Sequence, residues 1–245
     1  MAQNIYDDPA FFDAYSKFRR SVLGLDGAPE WPALRALLPP MQGLRVVDLG
    51  CGYGWFCRWA REAGATSVLG IDVSRKMLDR AQADTSDSAV RYVRADLDKL
   101  DLPAAGFDLA HSCLVFHYIE DFEQLVAAVH RALTPTGRLV FSIEHPIYTA
   151  PERPGWVTLA DGRRVWPLDS YQREGARSTN WLVEGVIKHH RTVGTTLNTL
   201  MRRGFSIQHV EEWKPSPEQL AALASASEEM DRPMFLIVAA DRRPA

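Results

Sequence analysis

At 245 residues, with 46% hydrophobic and 24% charged side chains and no low-complexity tract, the chain suffices for one well-cored α/β domain carrying an insertion, and intrinsic disorder is excluded. Its net charge of −3 hides a local excess, since residues 151–210 hold nine Lys or Arg against five Asp or Glu, a footprint too weak for a polynucleotide and better suited to a small anionic substrate. No run of eighteen apolar residues occurs, and the start M-A-Q-N-I-Y-D-D-P lacks a basic or apolar leader, so no membrane association and a cytoplasmic location are expected.

Residues 9–23 place Phe11, Tyr15, Phe18 and Val22 on one helical face, with Pro9 suited to the first turn. A second helix at 31–38 is stopped by Pro39 and Pro40. The stretch 45–59 follows, R-V-V-D-L-G-C-G-Y-G-W-F-C-R-W. Its apolar run ends in Gly50, Gly52 and Gly54, and then Trp55, Phe56 and Trp59 recur at helical spacing: a buried strand, a tight turn and a helix. Glycine lets the backbone take positive φ and lets a ligand approach the main chain, while free N–H groups at the helix start face the same spot. The turn is therefore a cofactor cradle. A dinucleotide fingerprint needs its third small residue where Trp55 stands, which argues against a pyrophosphate. Cys51, Cys57 and Cys113 are scattered with no C-x-x-C pair, so neither a disulfide framework nor a zinc site is expected.

Further strands are predicted at 67–72, 90–94, 107–113 and 138–144, and helices at 54–62, 74–83 with Ser74 as N-cap, and 121–133. That alternation is the pattern of a parallel sheet covered on both faces. From Pro146 to Arg191 the rhythm breaks: four prolines and three tryptophans appear, and Asp161-Gly162 between W-V-T-L and R-R-V-W reads as a β-hairpin to which 181–189 would add a third strand. An insertion after the fifth strand sits beside the carboxyl edge of the sheet, where open α/β folds bind ligands, so it is read as a lid. A helix at 195–203 stopped by Gly204, a strand at 205–213, a polar helix at 217–229 and a last strand at 234–240 complete the chain.

Strand two ends in Asp72, twenty-two residues after Gly50, where an acid can accept two hydrogen bonds from a ribose diol; Asp96, at the next carboxyl end, suits an adenine amino group. In order, V-V-D-L-G-C-G-Y-G, G-I-D-V-S-R-K-M-L, R-A-D-L-D, F-D-L-A-H-S-C-L-V-F-H-Y-I-E-D and L-T-P-T-G-R-L-V-F-S resemble the class I S-adenosylmethionine-dependent methyltransferases of the small stand-alone bacterial, type 11-like kind, over about residues 44–143. The resemblance implies an α/β, Rossmann-like, seven-stranded mostly parallel sheet with helices on both faces and the last strand antiparallel. One domain, 1–245, would comprise a helical arm 1–43, a cofactor core 44–145, a substrate lid 146–191 and a C-terminal part 192–245. It implies S-adenosylmethionine as cofactor, with Gly50 and Gly52 against the methionine part in a cradle that includes Asp48 and Cys51. Asp72 would take the ribose hydroxyls, Val73 and Met77 would flank the adenine, Asp96 and Leu97 would read its edge, and Ser112 would present backbone near the sulfonium. Tyr15 and Arg20 are the candidates for the cofactor carboxylate. F-S-I-E-H-P-I-Y-T and K-H-H-R-T-V-G-T-T-L-N-T-L-M-R-R-G-F look like one subgroup, without naming a substrate.

Methyl transfer is an in-line displacement that asks mainly for alignment and exclusion of water, and a base only if the nucleophile must lose a proton. His117 after the fourth strand, His145 after the fifth, and His189 or His190 in the insertion are the candidate bases, each of which reads equally as a packing residue. Trp156, Trp166, Tyr171 and Trp181 would wall an acceptor pocket or form a small core of their own. Arg163, Arg164, Arg173, Arg177 and Arg191 would hold an anionic group or be solvated. The expected partner is thus a small, anionic or aromatic methyl acceptor. S-C-L-V after strand four, in place of an N-P-P-Y-like tetrad, argues against nucleic acid, and no strand-end cluster marks a metal site. A non-catalytic S-adenosylmethionine-binding protein and a NAD-dependent oxidoreductase are the rival readings; a homodimer stays open.

Overall fold

A computed structural model describes residues 3–243. The sheet grows from the centre outward: β1 (Arg45–Leu49), β2 (Ser67–Asp72) and β3 (Val90–Arg94) run side by side, then β4 (Phe107–Cys113) and β5 (Leu133–Glu144) add to the other side of β1. Two hairpins outside this sheet follow, β6 (Val157–Thr158) with β7 (Arg164–Val165) and β8 (Gly175–Trp181) with β9 (Val183–His190), before β10 (Phe205–Glu212) and β11 (Phe235–Arg242). The resulting seven-stranded order is β10-β11-β5-β4-β1-β2-β3, with β11 antiparallel to both neighbours and the other pairs parallel. Because the chain turns back between β2–β3 and β4–β5, the carboxyl ends of β1 and β4 part at a topological switch point, where such sheets open a crevice.

Alternate strand residues feed two apolar layers. Val46, Val68, Leu109 and Val140 pack under α3 (Trp31–Leu37), α4 (Trp55–Glu62) and α5 (Arg75–Ala83) through Leu34, Phe56 and Leu78. Val47, Leu49, Ile71 and Leu139 pack against α6 (Phe122–Ala132) and α8 (Val193–Arg202) through Leu125, Val129 and Leu200. The helix starts are those the side chains dictate: Ser74 accepts from Met77 N–H at 3.1 Å and Asp121 from Gln124 N–H at 2.8 Å. Among the described residues, no helix is long and apolar enough to cross a membrane.

The helix expected over 9–23 is broken into α1 (Pro9–Ser16) and α2 (Arg19–Val22), because Phe18 adopts an extended ψ of 150° and Ser21 Oγ turns back to donate to Tyr15 O at 2.7 Å. The first inserted hairpin forms as expected, but 181–189 is not its third strand. That segment begins at the end of β8, turns through Leu182 at φ 64°, and pairs with β8 as a separate hairpin from Gly175↔His190 to Trp181↔Val183. The polar helix stops at Ala222 as α9 (Pro217–Ala222), and a 3-10 segment, Ala224–Met230, continues from it. Short α7 (Pro146–Thr149) leads into the insertion.

At the turn after β1, Gly54 sits at φ 72°, and a Cβ there would lie 2.1 Å from the Tyr92 hydroxyl. Gly54→Ala is expected to cost about 2 kcal/mol or more, from the left-handed backbone plus displacement of Tyr92. Chemical denaturation with an unchanged midpoint would contradict this. Trp55 has its own place: its indole packs so closely on Gly24 that a Cβ there would meet the ring at 2.6 Å.

Candidate functional site

The carboxyl ends of β1 to β4, roofed by the N-terminal segment and by Trp181 from β8, enclose a pocket of 510 Å³. The glycine turn forms its floor. Gly50 at φ 81° has no room for a side chain, since Val115 Cγ2 lies 2.2 Å from where a Cβ would stand, whereas Gly52 at φ 51° borders open space. Gly50 and Cys51 N–H both donate to Ile71 O, at 2.7 and 2.9 Å, which pins the turn to β2. At the end of β2, Asp72 accepts from Gly52 N–H through Oδ2 and from Ser74 N–H through Oδ1, both at 2.9 Å. Burial pushes its carboxyl up to about 6, and those backbone donors pull the other way.

Nine of the residues named from sequence for the cofactor line this one pocket: Tyr15, Arg20, Gly50, Gly52, Asp72, Val73, Met77, Asp96 and Leu97. Two others, Asp48 and Cys51, border an adjoining cavity of 110 Å³ that shares Tyr15, Arg20, Gly50 and Gly52 with it. Asp48 is buried and held by His111 Nδ1 at 2.8 Å and by Cys57 Sγ at 3.4 Å, while the His111 ring stacks 3.5 Å from Phe56. Arg20 donates to both oxygens of fully buried Glu30, at 2.9 and 3.1 Å. Ser112 is not among the lining residues. It is fully buried with Oγ donating to Leu49 O at 2.7 Å, and the wall is made instead by Cys113, Leu114 and Val115. Leu114 takes φ 56°, a conformation a leucine adopts only when its surroundings hold it, here through its N–H on Ser142 O at 2.9 Å.

The histidines separate. His117 lines the pocket, and its Nδ1 accepts from Glu144 N–H at 3.3 Å, which leaves the ring proton on Nε2. Burial, and then the charges of Lys188 and Arg191, hold it well below the usual imidazole range, so it is a neutral donor. His145 is not at the pocket: it caps α7 by accepting from Ile147 N–H at 3.0 Å, and its Nε2 meets Glu212 at 2.8 Å, so both nitrogens are spent on structure. His189 borders two other cavities, and His190 bridges Thr149 Oγ1 and Tyr171 O at 2.9 Å each. The inserted arginines also stay away from this pocket. Arg163 pairs with Asp161, Arg164 with Glu228, Arg173 with Glu152, and Arg191 donates to the carbonyls of Phe116, Ile119 and Glu120. Arg177 donates to Ala150 O, where it holds the insertion's own backbone.

Three buried imidazoles with lowered pKa, His117, His145 and His190, give a sign for the pH dependence of stability. The unfolded chain binds their protons near pH 6.5 and the folded chain does not, so stability is full above that pH and is lost as it falls. Stability is expected to fall from pH 7.5 to 6, and Asp72, which runs in the opposite sense and titrates near 6, offsets part of that fall at the acid end of the window. Urea midpoints that hold or rise over that window would refute it.

Several wall residues had no sequence signal beyond being aromatic or charged: Tyr6, whose hydroxyl is 3.4 Å from that of Tyr118, and Glu144 at the end of β5, whose Oε1 accepts from buried Lys188 Nζ at 2.6 Å. Trp181 stacks on Phe18 at 6.0 Å and meets Phe11 edge-on at 5.3 Å, so the insertion and the N-terminal helices close the roof together. Tyr171 is structural, its hydroxyl accepting from Val193 N–H at 3.3 Å.

The family model of a methyltransferase domain matches residues 47–141. A solved structure of an S-adenosylmethionine dependent methyltransferase from Mesorhizobium loti is 62% identical, covers 89% of this chain and all of that one, and superposes with a TM-score of 0.87. An uncharacterized protein of Haemophilus influenzae is 36% identical over 217 residues, 85% of each chain. A malonyl-[acyl-carrier protein] O-methyltransferase of Pectobacterium atrosepticum is 32% identical over 148 residues, which span 60% of this chain and only 51% of that protein.

Proposed function

The chain belongs to the S-adenosylmethionine-dependent methyltransferases, and on that premise we propose that the 510 Å³ pocket holds the cofactor and that the methyl acceptor is a small molecule reaching it from the side of the insertion. The enzyme uses S-adenosylmethionine, which supplies a methyl group already activated on a sulfonium.

The residues present fit that group. Asp72, fixed by two backbone N–H donors, keeps lone pairs toward the pocket for a ribose diol. Val73, Met77 and Leu97 offer apolar surface for a base, with Asp96 beside them for an exocyclic amine. Gly52 leaves space where the methionine part would pass the main chain, toward Tyr15 and Arg20. Asp48, Cys51 and Ser112 act behind this surface: Asp48 and Ser112 tie β1 to β4, and Cys51 shapes the turn. His117 then serves as a donor that positions the acceptor, not as its base, because its Nδ1 is engaged and its charge is suppressed. The aromatic roof excludes water.

The observation that carries this reading is the clasp of the Asp72 carboxylate on Gly52 N–H, at the one place where the turn borders open space. Calorimetry with S-adenosylhomocysteine is expected to give a single saturable site per chain. No heat from folded protein would overturn the assignment of the pocket.

A further inference from the structure

A second cavity, of 430 Å³, lies behind the first, and Glu144, Tyr148, Trp181 and Met234 face both. Its outer wall comes from Trp156 and Trp166 of the first inserted hairpin and from the Glu228–Arg232 stretch before β11. Around it Lys188 pairs with Glu144 at 2.6 Å, Arg232 with Glu229 at 2.7 Å, and Glu228 with Arg164 from outside the lining at 2.6 Å, while Arg177, also on its wall, is turned to backbone carbonyls such as Ala150 O. Lys188, Glu229 and Arg232 are more than nine-tenths buried, and the Arg232 guanidinium lies 4.5 Å from the Trp166 ring centre and 4.6 Å from that of Tyr148.

Pairing does not use up their hydrogen-bonding capacity. Glu144 Oε2, Glu229 Oε2, Trp156 Nε1 and Arg232 Nε are all buried without a partner, four of the ten such side-chain atoms among the described residues, and all four belong to residues lining this cavity. Native proteins rarely leave such groups unmet, so their concentration here marks a place where a ligand completes the set. Two are acceptors and two are donors. A simple anion would answer the two N–H groups and leave the carboxylate oxygens facing it; a simple cation would do the reverse; an apolar molecule would leave all four orphaned.

We propose that this cavity is the acceptor subsite and that it takes a zwitterion, an amino acid or a close derivative, with its carboxylate at Trp156 and Arg232 and its amine toward the carboxylates. The aromatic side chains of Tyr148, Trp156 and Trp166 wall the space for its side chain, and the partition at Glu144 and Trp181 places it next to the first pocket. The proposal rests on the cofactor reading of that first pocket and deepens it.

The test uses protein saturated with S-adenosylhomocysteine, titrated with each of the twenty L-amino acids while tryptophan fluorescence and heat are followed. At least one is expected to bind, and its decarboxylated amine and its des-amino acid are each expected to bind roughly tenfold or more weakly, the loss typical of one buried charge-assisted hydrogen bond. Trp156→Phe, which removes the donor and keeps the ring stack, is expected to weaken the amino acid by a similar factor and leave S-adenosylhomocysteine affinity unchanged. Absence of binding by every amino acid, or an amine or acid that binds as tightly as the zwitterion, would overturn the proposal. Failure of S-adenosylhomocysteine itself to bind would instead strike the reading of the first pocket.

Discussion

Asp72→Ala is expected to weaken S-adenosylhomocysteine binding about a hundredfold while the protein stays folded. The side chain has two duties at once: it would accept from the ribose, and it already accepts from Gly52 and Ser74 N–H, so its loss removes a charged acceptor and frees the turn that shapes the pocket floor. One or two charge-assisted hydrogen bonds in a buried site are worth about 3 kcal/mol, which is that hundredfold. Asp72→Asn is expected to fall between, since the amide keeps one acceptor and presents a donor where a diol also donates. Acid should act like the substitution. With the carboxyl pushed up to about 6 by burial, affinity is expected to be flat above pH 7 and to fall as pH drops through 6. The sign for stability of the ligand-free chain is opposite: the folded state favours the protonated acid, so Asp72 costs stability above 6 and that cost is relieved between 6 and the unfolded value of 3.8. Calorimetry at pH 5.5 and 8 separates the two, and an affinity independent of pH and of Asp72→Asn would remove the acid from the site.

The second large effect concerns Arg20 and Glu30. Glu30 has no solvent exposure, and Arg20 covers both of its oxygens while reaching the edge of the pocket. Arg20→Ala leaves a buried carboxylate without its cation and is expected to cost about 3 kcal/mol of stability, in addition to weaker cofactor binding. Arg20→Met together with Glu30→Leu removes both charges and is expected to recover most of that stability without recovering affinity. Denaturation midpoints and calorimetry on the three proteins would show it. If the double variant were as unstable as Arg20→Ala, the pair would be acting through packing and not through charge.

Much of the sheet was legible because its strands repeat one local logic. Ser67–Asp72 and Phe107–Cys113 are largely buried strands closed by turns, Val90–Arg94 is an edge strand that buries Val90, and the bounds of all three match the expectation. Legibility faded where tertiary contacts overrule local pattern. Residues 9–23 have a continuous apolar face, yet Phe18 leaves the helix to stack on Trp181, a partner more than 160 residues away that no periodicity reveals. The hairpin of β8 and β9 was misread because its turn carries Leu182, not a glycine or asparagine, at positive φ. In the site, the glycines and strand-end acids announced themselves by spacing. His145 misled because a histidine after a strand can cap the next helix as readily as it can serve a substrate. Glu30 and Glu144 gave no signal: a lone glutamate looks solvated until the fold buries it beside Arg20 or Lys188.

Gln3 pairs with Ile187 N–H at 2.9 Å and with Gly185 O at 2.8 Å, so the rim of the binding crevice joins two segments 184 positions apart. Closing so long a loop is entropically expensive and yields little until the sheet it spans already exists. The rim of the crevice is therefore expected to form after the sheet and to open before it, and ligand occupancy is expected to be recorded there as protection of backbone amides before it alters the strands beneath.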